Sequence, residues 1–334
     1  MRAWEVSRPG LVGVELVERP VPEPAAGEVR VRVSVCGVCR TDLHIAEGDL
    51  PLVRERIVLG HEIVGTVDAV GPGTSRFELG DRIGIAWLRM TCGRCDFCLR
   101  GRENLCIEPR FTGYTDDGGY ADFAVVHEDY AYSLPEAFDD EHAAPLLCAG
   151  IIGYRSLRRS ALPEGGRLGI YGFGGSAHLA SQVAIAEGAR VHVITRSEKA
   201  RALAIRLGAS SARELSDGPP EPLDSAIVFA PAGELVPAAL EALDRGGTLA
   251  IAGIHLTPIP PLEHARHLSM ERTITSVTAN TRRDGEEFLE TAARIGIEVV
   301  TSPFGLEEAD RALRELAHGR VEGAAVLHAI LSSA

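Results

Sequence analysis

Positive charge is scarce in this chain: 34 Lys and Arg stand against 47 Asp and Glu, a formal net charge of −13. Nucleic acids and anionic membranes draw proteins in through basic surface, so neither is expected as a partner. Internal repeats and low-complexity tracts are missing from the 334 residues, which excludes a repeat architecture. The first residues show no basic segment leading into an apolar stretch, so no secretory signal is expected. That places the chain, as an expectation, in the reducing cytoplasm, where disulfides are rare. A membrane-spanning run is missing too. Residues 168–186 carry no formal charge, but they are rich in Gly and include Ser176, His178, Ser181 and Gln182. They read as buried fold rather than as a span.

What is present is an ordinary globular composition, 45% hydrophobic and 24% charged, in a length that suggests about two domains. Residues 29–35 alternate Val with Arg or Ser at period two, as a half-buried strand does. Residues 63–70 and 83–86 are further strand candidates, with Gly-containing turns at Gly71-Pro72-Gly73 and Gly80-Asp81. Near residue 150 the pattern changes. Strand candidates at 167–171, 190–194, 226–229, 248–252 and 273–277 follow one another, and helical stretches at 177–187 and 199–207 lie between the first of them. Leu179, Val183 and Ala186 fall on one face of the first helix. This alternation predicts a doubly wound parallel sheet with helices on both faces. From about residue 284, two helix candidates and a strand at 324–328 return toward the β-rich part.

Four of the seven cysteines form one run, Cys92-x2-Cys95-x2-Cys98-x7-Cys106. Two disulfides are the competing reading, but a reducing compartment disfavours them. A tetrahedral zinc takes four thiolates at about 2.3 Å, and two-residue gaps let one turn aim successive sulfurs at a point. A zinc closed by four cysteines is usually structural, so this run marks a metal protein without identifying an enzyme.

A glycine loop, Gly172-Phe-Gly174-Gly175-Ser176-Ala177, lies between a predicted strand and a predicted helix and fits G-x-G-x-x-G/A. Gly172 permits the turn, Gly174 lets backbone approach a pyrophosphate, and Ala177 lets the helix pack closely. The helix N-terminus offers N–H groups to phosphate. The competing reading is a glycine turn closing an ordinary βαβ unit. About twenty residues on, an NAD enzyme places an acid on the ribose 2′-OH; here stand Thr195-Arg196-Ser197-Glu198-Lys199. Thr195 is no carboxylate, and Arg196 and Lys199 can meet a 2′-phosphate, so NADP(H) is favoured over NAD(H), with Glu198 the opposing feature.

The remaining cysteines, Cys36, Cys39 and Cys148, stand near Thr41-Asp42-Leu43-His44 and Gly60-His61-Glu62. Two cysteines and one histidine make a catalytic zinc set with one position open. Spacing alone does not join Cys39, His61 and Cys148, since a lone His or Cys is more often buried and inert. Cys36 is assigned to that inert class.

Taken together, Cys36-Gly-Val-Cys39-Arg-Thr-Asp-Leu-His44, Gly60-His61-Glu62, the four-cysteine run, Leu147-Cys148-Ala149-Gly150 and the Gly172 loop occur in one order over the whole length. In them the chain resembles the zinc-dependent medium-chain alcohol dehydrogenases, closest to the bacterial cinnamyl-alcohol-type members. The resemblance implies a β-rich GroES-like catalytic domain over residues 1–152 with a zinc lobe at about 90–108, a Rossmann domain over 153–283, and a return to the catalytic domain over 284–334. It implies two zincs, one on Cys39, His61 and Cys148 with Glu62 nearby, the other structural on Cys92, Cys95, Cys98 and Cys106. Asp42 is then the acid behind His61, Thr41 and His44 form a proton relay, and Arg40 meets the coenzyme pyrophosphate beside the loop residues Gly172 to Ala177. Leu50 and Trp87 would line the substrate pocket, though Trp87 also reads as plain core. The implied reaction is hydride transfer between a nicotinamide and an alcohol or aldehyde, in a homodimer or homotetramer. A polyol dehydrogenase is the runner-up on the same fold, disfavoured by Cys148 where such enzymes more often use Glu. The retained ligands disfavour a zincless quinone reductase. A zinc- and nucleotide-binding protein without turnover is the reading from another class.

Overall fold

The structure, a computed structural model, describes residues 1–254 and 256–329. Two compact units share the chain. The first takes Met1–Cys148, Ala279–Ala293 and the closing stretch from Val299; the second takes Ala149–Thr278 and Arg294–Glu298.

The first unit is built on the strand Glu28–Val38. Its first half alternates as the sequence predicts, with Val29, Val31, Val33 and Val35 buried. The period-two pattern fits one wet and one dry face. Past Val35 the alternation stops, and Cys36, Gly37 and Val38 are buried in succession. The sheet order is Ala131–Ser133, Arg82–Ile85, Glu62–Val70, Glu28–Val38, Ala324–His328, Thr301–Gly305, with Phe123–His127 also pairing with Glu28–Val38. The late strand Ala324–His328 thus pairs with Glu28–Val38, Leu327 opposite Cys36. Val31, Leu59, Ile63, Ile83, Ile85 and Leu327 lie in its core, each 0–1% exposed. The strands Phe123–His127, Ala131–Ser133 and Thr301–Gly305 went unread in the sequence, since three to five residues carry too little periodicity.

The second unit holds six parallel strands in the order Ser211–Arg213, Arg190–Ile194, Arg167–Tyr171, Leu223–Val228, Leu243–Ile251, Thr273–Ser276. This is the doubly wound Rossmann order, and its direction reverses beside Arg167–Tyr171. Ser211–Arg213, short and polar, had no signal as a strand. The helix Gly175–Ala186 corrects one expectation. Leu179 and Val183 are buried, but Ala186 is exposed, and Ala177, Ala180 and Ala184 are buried instead. Both the sheet and the helix Ala149–Arg159 press on this helix, so burial spreads around it. The second contact is close: a Cβ on Gly153 would lie 2.7 Å from the Ser176 carbonyl oxygen.

That packing encloses His178. Its Nδ1 lies 3.3 Å from the Gly174 carbonyl oxygen, and its Nε2 has no hydrogen-bond partner among the described residues. Burial pushes the ring down to about 4 from the usual 6.5. The unfolded chain therefore takes up this proton first, and stability is lost as pH falls from about 6.5 toward about 4. Between pH 7 and 4.5 the fold should lose roughly 2–3 kcal/mol through this ring. Denaturant titrations at the two pH values should show a distinctly smaller loss in His178→Asn; an equal loss would remove His178 as the source.

Candidate active site

Cys39 follows the long strand and caps the helix Arg40–Glu47 with extended backbone, φ −109° and ψ 159°. His61 follows Gly60, whose φ of +94° suits glycine; a Cβ there would lie 2.3 Å from the Tyr120 ring. Cys148 follows the turn Ala144–Leu147. The fold brings the three together. Cys39 Sγ and Cys148 Sγ are 3.9 Å apart, and His61 Nε2 is 3.3 Å from Cys148 Sγ. With a carboxylate oxygen of Glu62, the four donor atoms lie within 4.8 Å of one another.

Asp42 organises this cluster from behind. It is fully buried. It accepts the Cys39 backbone N–H at 2.9 Å, the Gly60 N–H at 3.1 Å and the Tyr120 hydroxyl at 3.1 Å, and it meets His61 Nδ1 at 3.0 Å. A carboxylate at Nδ1 holds the proton on that nitrogen and leaves Nε2 free to ligate. Burial opposes charge on His61, but Asp42 and Cys39 outweigh it and raise the ring well above its ordinary range. The contact between the two sulfurs pulls Cys39 well below the ordinary thiol range and pushes Cys148 well above it. The pair thus favours a single negative charge, whereas a divalent cation would hold both as thiolates. Two sulfurs, one oriented imidazole and a nearby carboxylate suit zinc.

Gly37 makes room for that carboxylate. It pairs across the sheet with Glu62, and a Cβ on Gly37 would fall 1.8 Å from Glu62 Oε2. Sequence reading placed no role on Gly37, Tyr120 or Asp49; only Gly37 sat within a recognised motif.

Thr41 Oγ1 lies 3.8 Å from Cys39 Sγ. His44, one helical turn on, pairs through Nδ1 with Asp49 at 2.8 Å. Arg40 is exposed at the helix start. Trp87 is half-buried, edge-on to His61 with ring centres 5.0 Å apart, and stacked on Phe111 and Tyr114. Leu50 is partly buried against the same core. Cys36 is buried and its thiol pushed up chiefly by that burial.

The other four cysteines also converge, their sulfurs within 4.8 Å of one another. Cys95 and Cys98 are 3.5 Å apart, and backbone N–H groups point at sulfur: Cys92 N to Cys106 at 3.2 Å, Cys95 N to Cys92 at 3.4 Å. Amide donors from Cys98 and Ile107 lower Cys95 to about 6. Four thiols with amides aimed at them fit one closed tetrahedral ion.

In the second unit, Gly172 has φ +87°, and a Cβ there would meet Ala230 at 2.8 Å. Gly174 differs. Its backbone, φ −122° and ψ −155°, is open to any residue, and a Cβ would touch nothing within 4 Å. Free space above the N-terminus of a twelve-residue helix is what a diphosphate needs. Thr195, Arg196 and Lys199, the chain's single lysine, follow the second strand. Arg201 grips the carbonyl oxygens of Thr195 and Arg196 at 2.9 and 3.0 Å.

A thiolate–imidazole metal site on one unit and a dinucleotide loop on the other define a metal-dependent oxidoreductase. Two family models match the chain: the alcohol dehydrogenase GroES-like domain over residues 25–136 and the zinc-binding dehydrogenase domain over residues 175–294. A probable alcohol dehydrogenase of Mycobacterium tuberculosis is 58% identical, over 98% of this chain and 97% of its own. Among solved structures, a cinnamyl alcohol dehydrogenase of Sorghum bicolor superposes with TM-score 0.89 at 27% identity, covering 98% and 97%. The CAD of Helicobacter pylori, complexed with NADP(H), gives 0.86 at 25%, covering 98% and 99%. The chain belongs to the zinc-dependent medium-chain alcohol dehydrogenases, and its reaction uses zinc and a nicotinamide coenzyme.

Because only the Glu62 side chain crowds Gly37 so closely, Gly37→Ala should displace that carboxylate. Its thermal destabilisation should shrink by at least half in the Glu62→Ala background, a coupling that a double-mutant cycle reads directly. An unchanged cost in both backgrounds would mean that the strand, not Glu62, needs the glycine.

Proposed function

We propose that this dehydrogenase interconverts alcohols and aldehydes at Cys39, His61 and Cys148, holds a second, structural zinc in the four-cysteine lobe, and prefers NADP(H). The convergence of the four donor atoms around Cys39, with Asp42 behind His61, carries the reading. Bound there, zinc supplies Lewis acidity to the alcohol or carbonyl oxygen. Thr41, beside Cys39, takes the hydroxyl proton, and His44, paired with Asp49, passes it on. No strong general base is then needed. Trp87 forms an apolar wall beside His61, with Leu50 contributing, which suits aromatic or otherwise bulky substrates. Glu62 stands close enough to the ligand set to exchange with it.

Residues rather than likeness support the coenzyme preference, since similar solved structures hold NADP(H) in some cases and NAD in another. Thr195 leaves no acid for a ribose 2′-OH, and two exposed cations stand nearby, Arg196 on the loop and Lys199 in the first turn of the helix Glu198–Arg206. Arg40 and the amides of Gly174 to Ala177 serve the diphosphate.

A homodimer or homotetramer is supported by the open edge of the second unit's sheet at Thr273–Ser276, preceded by Met270 at 58% exposure. Small-molecule alcohols and aldehydes are the partners, and no helix among the described residues is long and apolar enough to cross a membrane. Seven cysteines, none in a disulfide among the described residues, fit a cytoplasmic setting.

Elemental analysis should return two zincs per chain. A panel of benzaldehyde- and cinnamaldehyde-like substrates with both coenzymes should give the higher kcat/KM with NADPH; a higher value with NADH would overturn the use of Thr195 and Arg196. Thr41→Val should keep both zincs and lower kcat by about 10²–10⁴-fold. Cys95→Ala should lower thermal stability before it changes the chemical step.

A further inference from the structure

The four-cysteine lobe has little core of its own. No residue of its helix Asp96–Leu99 is buried, and Phe97, Leu99 and Ile107 are exposed. Order there depends on whatever binds the sulfurs and on how the two stems are tied down. Both stems lead to one side chain. Thr91, just before Cys92, bonds the Tyr130 hydroxyl through its N–H at 3.0 Å and its hydroxyl at 2.8 Å. The Arg282 guanidinium lies over the Tyr130 ring, 4.7 Å from its centre. Its N–H edge reaches the second stem. Arg282 Nη2 and Nε hold Glu103 at 2.9 and 3.1 Å, and the Arg282 backbone N–H adds a bond at 2.7 Å. Glu103 is 8% exposed, and its carbonyl oxygen accepts the N–H of Cys106 at 2.9 Å.

Arg282 also stands where the chain re-enters the first unit, between Thr278 and Ala279. Ala279 has φ +46°, a left-handed conformation costly for alanine. Asn280, 1% exposed, reaches the Tyr132 hydroxyl at 3.4 Å, and Thr281 caps the next helix with Asp284 at 2.7 Å. Of the residues that follow this strained crossing, Arg282 is the one that rests on the lobe, through Glu103.

We propose that Arg282 is a positioning residue for the four-cysteine site: it joins both stems of the lobe and couples metal retention there to the order of residues 279–284. The inference rests on the reading of the lobe as a zinc site. Coupling of this kind is reciprocal. Metal in the lobe steadies Glu103 and so the crossing; Arg282 in place slows metal loss from sulfurs it never touches. Unpairing Glu103 would leave a buried carboxylate uncompensated and open the turn before Cys106.

The test uses the full-length, zinc-loaded enzyme with a chromogenic chelator, and follows alkylation of freed Cys92 and Cys106 separately from Cys39 and Cys148. Arg282→Ala should release lobe zinc at least about tenfold faster, the range seen when groups behind a ligand set are removed. Release from Cys39 and Cys148 should stay unchanged. Arg282→Lys, which keeps charge but not the two-sided fork, should fall between. Two zincs per chain with lobe release unchanged in a folded Arg282→Ala protein would overturn the coupling alone; a single zinc in the parent would remove the lobe's metal and the coupling together. Should Arg282→Ala not fold, hydrogen exchange of the parent decides: selective loss of lobe metal should raise exchange at residues 279–284, and unchanged protection there would overturn the proposal.

Discussion

One buried carboxylate holds the catalytic unit together. Asp42 is fully enclosed and gathers four donors: two backbone amides, a tyrosine hydroxyl and an imidazole. A charge out of water is tolerable only when its lone pairs are filled, and losing any one donor leaves the rest more costly to bury. The partners come from three separate parts of the chain, so the bonds that stabilise the carboxylate also fix where Cys39, Gly60 and His61 stand relative to one another. The positive φ at Gly60 and the buried tyrosine follow from the same need. The cluster inherits its geometry from a group that stands behind His61 rather than among the four gathered donor atoms.

Legibility in the sequence followed the range of the interaction. The strand Glu28–Val38 was readable because its Val residues alternate, and Arg167–Tyr171 and Arg190–Ile194 because apolar residues end at glycine and turn signals. The four-cysteine run was readable because one short loop supplies all the donors. Cys39, His61 and Cys148 are spread over more than a hundred residues, and spacing could not join them; only resemblance did, and the folded chain brings them together. Gly37, Asp49, Tyr120 and Arg282 matter through neighbours across a sheet or far along the chain. No local pattern marks such a residue, because what selects it is the side chain it faces. The misplaced face of the helix Gly175–Ala186 has the same origin: periodicity assumes one covering neighbour, and this helix has two.

The glycines of the coenzyme loop separate two demands that a motif merges. Gly172 answers to the protein, through its dihedral angle and the nearness of Ala230. Gly174 answers to neither, since its backbone is ordinary and its surroundings are open. A residue free to be larger in the protein alone is explained by what the protein binds. The same reasoning covers Gly37, whose missing side chain is occupied by part of another residue rather than by a ligand.

Lys199, in the first turn of the helix Glu198–Arg206, is the chain's one lysine among 34 basic side chains of Lys and Arg. Aldehydes condense with unprotonated amines, and arginine, always protonated in proteins, forms no such imine under ordinary conditions. An enzyme that handles aldehydes therefore exposes a single ε-amine to them. Carbonyl adducts, amine-directed labels and glutaraldehyde tethering all converge on the start of that helix or on the chain terminus. Attachment through amines would thus fall on the segment proposed to read the coenzyme, and coenzyme bound there would shield it.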